Sequence, residues 1–143
     1  MWLSVKLEAY LNHPPSLVFP YLADPTSWPE FAPAVHSRRR VDEGPIRVGG
    51  RWAAVDRIGP FHIHFTDVLE TLEPDSRVVW FSTSPWNSRV EYLCSPEGGG
   101  TRVHATYEGD VAGWLRVTGL MPRFAWARIL RRDFTRLNRI LDR

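Results

Sequence analysis

The chain has 143 residues, enough for one domain with a real core, and its 43% hydrophobic and 24% charged residues are an ordinary globular balance. No apolar run approaches the ~18 residues of a membrane-spanning helix. A net charge of +2 gives no argument for a nucleic-acid partner, and the single cysteine, Cys94, excludes an internal disulfide. Seven Trp and seven Phe are the more telling numbers, because aromatic side chains bury large areas and line apolar pockets.

Leu3, Val5, Leu7, Ala9 and Leu11 alternate with Ser4, Lys6, Glu8 and Tyr10, the period of a half-buried first strand. Charges inside that pattern make the N-terminus a strand and not a signal peptide, so a cytoplasmic location is the default. Asn12 to Ser16 ends the strand. Leu17, Val18, Phe19, Tyr21 and Leu22 then predict a short helix closed by Asp24-Pro25, which Pro20 shortens unless it sits in the first turn. A second short helical turn follows over Thr26 to Phe31, with Trp28 and Phe31 inward. Val35 to Val41 reads as a charged edge strand, its Arg38-Arg39-Arg40 run partly solvated. Further strands are expected over Trp52–Ile58, Phe61–Glu73, Arg77–Thr83, Trp86–Cys94 and Thr101–Val111. Glu97-Gly98-Gly99-Gly100 is a hairpin turn between the last two. Residues 112–121 read as a connector.

Pro122 to Leu141 is a long amphipathic helix. Trp126, Ile129, Leu130, Phe134, Leu137, Ile140 and Leu141 share one arc, and arginines at 128, 131, 132, 136 and 139 take the other. Pro122 suits its first turn. Asp133 alone interrupts the apolar arc. Strands joined by tight turns form an antiparallel meander, and a helix lying on one face makes an α+β architecture over one domain, residues 1–143.

Several segments, in order, carry a family resemblance. They are Val18-Phe19-Pro20-Tyr21-Leu22-Ala23-Asp24-Pro25 with Trp28-Pro29-Glu30 and Pro33, Val48-Gly49-Gly50-Arg51-Trp52, Val68 to Pro74 leading into Val79-Trp80, and Gly98-Gly99-Gly100-Thr101-Arg102-Val103. The set resembles the START-like or SRPBCC superfamily, in its polyketide cyclase/dehydrase and lipid transport subgroup. That resemblance implies a helix-grip fold: a curved antiparallel sheet of about seven strands wrapped around the long C-terminal helix, with two short helices after the first strand. It also implies a deep pocket between sheet and helix that binds apolar small molecules, and in a minority of members performs cyclisation or dehydration.

Strand alternation gives the inward residues. The candidate ligand-binding set is Trp52, Phe61, Ile63, Phe65, Trp80, Tyr92 and Tyr107 from the sheet, with Trp126, Leu130 and Phe134 from the helix. Among polar residues on these apolar faces, Asp67 and Asp133 are the candidate acids or bases, with Asp56 behind them; a desolvated carboxyl has a raised pKa. Each has a plainer reading as well, Asp133 as the partner of a nearby arginine and the other two as strand-end or bulge residues. His62 and His64, with Glu70 and His104, form a nominal metal set, but the phase points both histidines at solvent. No metal or other cofactor is therefore expected. The leading reading is a binding module for a lipid- or polyketide-like small molecule, monomeric or homodimeric. The alternatives are a cyclase/dehydratase-type enzyme using the same pocket and a co-chaperone-like interaction domain.

Overall fold

A computed structural model describes residues 2–119 and 121–143, without the side chains of residues 116–118. The elements are β1 (Trp2–Leu11), α1 (Pro15–Ala23), a 3-10 helix (Pro25–Glu30), β2 (Val35–Arg40), β3 (Arg51–Ile58), β4 (Phe61–Glu73), β5 (Arg77–Ser82), β6 (Ser88–Glu97), β7 (Gly100–Asp110), α2 (Val111–Thr118) and α3 (Arg123–Leu141). All seven strands form one antiparallel sheet in the order β1-β7-β6-β5-β4-β3-β2. Residues 35–110 are thus a meander. β1 closes on its last strand, and β1 and β2, neighbours in sequence, end at opposite edges.

Local chemistry explains the joints. Gly98 and Gly99 both have positive φ, +56° and +81°, as a tight hairpin between two twisted strands requires. Pro15 opens α1, where its missing N–H costs nothing. Pro20 lies inside the helix on its exposed side and does not end it, because Val18, Phe19 and Leu22 bury the other side. The Asp24 carboxylate accepts from the Thr26 amide at 3.1 Å and starts the 3-10 helix, which turns Trp28 into the core.

The long helix begins one residue later than the proline suggests, with Pro122 as its N-cap. Its two halves behave differently. Phe134 and Leu137 are buried, and Asn138 Oδ1 accepts from the Asn12 amide at 2.9 Å, so the C-terminal half is clamped to β1. Burial of a side chain such as Leu137 is worth roughly 2 kcal/mol. Trp126 and Leu130, in the N-terminal half, are only half-buried. The helix grips the sheet at one end and stands away from it at the other.

α2 is a departure from the expected connector. Asp110 caps it, accepting from the Ala112 amide at 2.9 Å. Two glycines let it pack closely: a Cβ on Gly109 would overlap the Trp114 indole, and one on Gly113 would overlap that of Trp86. Trp86 and Trp114 meet edge to face at 5.3 Å. Among the described residues, no helix is long and apolar enough to cross a membrane.

Candidate functional site

Between the concave face of the sheet and the free half of α3 lies a cavity of about 380 Å³, partly open to solvent. Its wall is mostly apolar and rich in aromatic rings. Phe65, Trp80, Tyr92, Tyr107, Trp126, Leu130 and Phe134, all expected from strand and helix phase, line it. Trp28, Trp114 and Met121 add to the apolar wall. Three expected residues do not reach it. Trp52 is fully buried behind Trp80, ring to ring at 5.0 Å. Ile63 packs with Ala54 and Phe65 in a small separate cluster covered by Trp86. Phe61, at the start of β4, is 44% exposed and contributes nothing to the cavity wall, although its cross-strand partner Ile58 does.

The polar part of the wall is built on a residue that the sequence places with solvated arginines. Arg38 does not face water: its side chain is 6% exposed. A register shift between Val35 and Ser37 sets the phase of β2 so that Arg38 pairs with Ala54 on the concave face. Its Nη1 donates to Asp56 Oδ1 at 2.8 Å, and its Nε approaches Asp67 Oδ2 at 2.8 Å as an ion contact without hydrogen-bond alignment. The guanidinium also lies 5.4 Å from the centre of the Trp28 ring. Ser82 Oγ donates to the other Asp67 oxygen at 2.6 Å. Both aspartates are therefore wall residues paired across strands, neither at a strand end nor turned outward by a bulge. Burial would lower the Arg38 pKa, but the two carboxylates raise it, and the side chain stays charged. Burial pushes Asp56 up, Arg38 pulls it partly back, and Asp67 pushes it up again, because one cation cannot neutralise two acids.

A second polar group sits where β6 and β7 face α3. The Tyr92 and Tyr107 hydroxyls are 3.3 Å apart, and the Tyr92 ring stacks edge to face on Phe134 at 6.1 Å. Burial raises both phenols well above their ordinary pKa, and the negative field of Asp133 adds to the effect. Asp133, the one break in the apolar arc, both lines the cavity and pairs with an arginine: its Oδ1 accepts from Arg136 Nη1 at 3.1 Å one turn along. Burial pushes its carboxyl up to about 7, with Arg136 opposing. Asp67 is bonded to Ser82 and faces Arg38, whereas Asp133 has, among the described residues, Arg136 alone as a charged partner.

The histidines lie elsewhere. His62 and His64 are exposed on the outer face, with the His62 ring against His36. Glu70 meets Arg89, and His104 meets Glu8, both at 3.3 Å. Among the described residues, no three His, Cys, Asp or Glu side chains are placed to hold an ion. Cys94 is a buried core residue whose thiol burial pushes up to about 12, so it carries no thiolate chemistry.

Residues 3–142 match the family described as polyketide cyclase/dehydrase and lipid transport. The chain belongs to this family. Among solved structures, the family fold recurs at low identity. The protein TTHA0849 from Thermus thermophilus superposes with a TM-score of 0.75 at 20% identity, covering 96% of this chain and 95% of that one. The ginseng major latex-like protein 151 from Panax ginseng gives 0.72 at 9% identity over 96% and 95%. Protein MLL2253 of Mesorhizobium loti gives 0.70 at 19% over 98% and 97%. At these identities the likeness is one of fold, the helix-grip arrangement of sheet and C-terminal helix. Among curated proteins none matches this chain.

Two outcomes follow from the family member's buried charges. Arg38→Met strands two carboxylates and should destabilise the fold by about 3–5 kcal/mol in urea denaturation, with Asp56→Asn and Asp67→Asn added to it recovering part of the loss. Asp133 has the opposite linkage sign from a salt-bridged carboxylate. Its folded pKa, near 7, lies above the unfolded value, near 3.8, so the folded state holds the extra proton between them. Its contribution is lost as pH rises through that window. Asp133→Asn should match the wild type in stability near pH 4. By about pH 8 it should be the more stable by roughly 1–2 kcal/mol, after discounting for solvent screening. Denaturation curves at both pH values check this.

Proposed function

We propose that the chain is a cytoplasmic binding module for an apolar or aromatic small molecule of lipid- or polyketide-like character, acting as a monomer or homodimer without a nucleic-acid partner. The observation that carries this reading is the cavity. At about 380 Å³ it falls within the size range of small-molecule sites, and it pairs an aromatic wall with a few convergent polar groups. A chain that needed only a closed core would bring the N-terminal half of α3 down onto the sheet, as its C-terminal half already is. The free half instead presents Trp126 and Leu130 to the space. Family membership supports the same class of ligand.

One observation favours a second reading. Asp133, with its carboxyl near pH 7, lies in the cavity wall within the field of the Tyr92–Tyr107 pair. A phenol that orients a carbonyl beside a carboxyl able to give or take a proton is the equipment of a cyclase or dehydratase. In that reading Asp67 is a positioning residue for Arg38, not a proton carrier.

Tryptophan fluorescence tests the binding reading, because Trp28, Trp80, Trp114 and Trp126 all line the cavity. Titration with flavones, polycyclic aromatics and long-chain lipids should quench or shift the emission with at least one of them. Leu130→Trp, which fills the space, should weaken that ligand by about ten-fold or more while the protein stays folded. A folded protein that responds to none of the panel would contradict a ligand cavity. Asp133→Asn divides the two readings: a binder keeps its affinity within a few-fold, whereas an acid–base enzyme loses turnover.

A further inference from the structure

Among the described residues, the cavity wall buries more carboxyl groups than cations. Asp56, Asp67 and Asp133 all reach its wall, and Arg38 is the buried cation that faces them. The charge of Arg38 is offset by both neighbours, with Nη1 on Asp56 and Nε against Asp67. The other charged wall residues sit at the rim. Arg57 is exposed, Arg89 turns to Glu70 at 3.3 Å, and Glu108 adds another negative charge. Arg136 meets Asp133 from the solvent side, with 42% of its own side chain exposed. Among the described side chains, a ligand carboxylate entering this space meets one buried cation already flanked by two carboxylates, and a third carboxyl at Asp133.

The unfilled hydrogen-bonding capacity points to what does fit. Asp133 Oδ1 accepts from Arg136, and its Oδ2 has no hydrogen bond among the described residues although the side chain is only 12% exposed. In the Tyr92–Tyr107 bond one hydroxyl donates and the other accepts, so the accepting phenol keeps its own proton without a partner among the described residues. Phe134, next to Asp133 on α3, stacks on the Tyr92 ring and brings these groups to the same part of the wall. Beside α3 the wall thus offers an anionic acceptor and a phenolic donor, and across the cavity the Trp28 indole N–H is a further buried donor without a partner among the described residues. A hydroxyl group satisfies both, donating to the carboxylate and accepting from the phenol. A carboxylate satisfies the phenol only, and does so against the charge of Asp133.

Resting on the ligand-binding reading above, we infer that the cavity takes an uncharged alcohol or phenol on an apolar ring or chain and rejects the corresponding carboxylate. Naphthalene, 2-naphthol and 2-naphthoate test this on the full chain by calorimetry at about pH 8, where the naphthol is neutral and the naphthoate charged. The naphthol should bind at least ~10-fold more tightly than the naphthoate, since opposing a like charge in a desolvated site is costly. Asp133→Asn should strengthen naphthoate binding several-fold and weaken naphthol binding by no more than a few-fold, reducing the preference. Naphthoate binding as tightly as naphthol, or a preference unchanged by Asp133→Asn, would overturn the inference while the cavity reading stands on naphthalene binding. If none of the three binds, both fall.

Discussion

One guanidinium shared by two carboxylates fixes the character of this protein. Arg38, on the edge strand β2, reaches Asp56 on β3 and Asp67 on β4, so three strands are tied together on the concave face. Burying such charges costs several kcal/mol each, and mutual pairing returns only part of that. The patch therefore has to be held by additional bonds, such as that from Ser82 to Asp67. It is also a surface that the apolar side of α3 cannot cover without stripping the remaining solvation of an acid already pushed above its ordinary pKa. A charged floor and an apolar helix above it are compatible when space is left between them.

The attachment of α3 follows the same division. At β1 the sheet presents Leu7, Ala9 and Leu11 to the helix, and there Phe134 and Leu137 are sealed in. Towards the Arg38 patch the helix loses contact, and Trp126 and Leu130 become walls of a cavity. Packing supplies stability at one end of the helix and leaves a cavity at the other. The two tyrosines and Asp133 stand at the boundary, which is why their ionisation is shifted by burial while Asp133 retains access to the cavity.

The sheet was legible because strand alternation is a strong local signal. The period of two in β1 and in Ile63-Phe65-Asp67 gave the correct faces, and Gly98-Gly99 marked the last hairpin. Asp133 stood out as a carboxylate on an apolar arc. What was not legible depended on contacts between distant residues. Arg38 lies in a run of three arginines, and its inward phase is set by the irregular pairing between Val35 and Ser37. One signal could have found it: two inward aspartates on neighbouring strands require a buried cation, and the adjoining strand has arginines. α2 carries a short, weak pattern, and its place depends on how Trp114 fits over Gly109. Trp52 and Ile63 face inward as expected, but side-chain layers, which alternation does not encode, put Trp80 and Trp86 over them. Phe61 has the right parity, but at the first position of β4 it is 44% exposed.

Fold and family establish a helix-grip member of the polyketide cyclase/dehydrase and lipid transport family, and the wall chemistry argues for a neutral, largely apolar ligand held between sheet and helix. The most direct test is to locate a bound molecule. Amide shifts in the ¹H–¹⁵N spectrum, followed as 2-naphthol is added, should change at Tyr92, Tyr107, Trp126 and Leu130 around the cavity and stay constant at the outward-facing Lys6, His64 and Leu93. Shifts confined to the outer face, or saturable binding that leaves the cavity residues unmoved, would contradict a ligand site between sheet and helix.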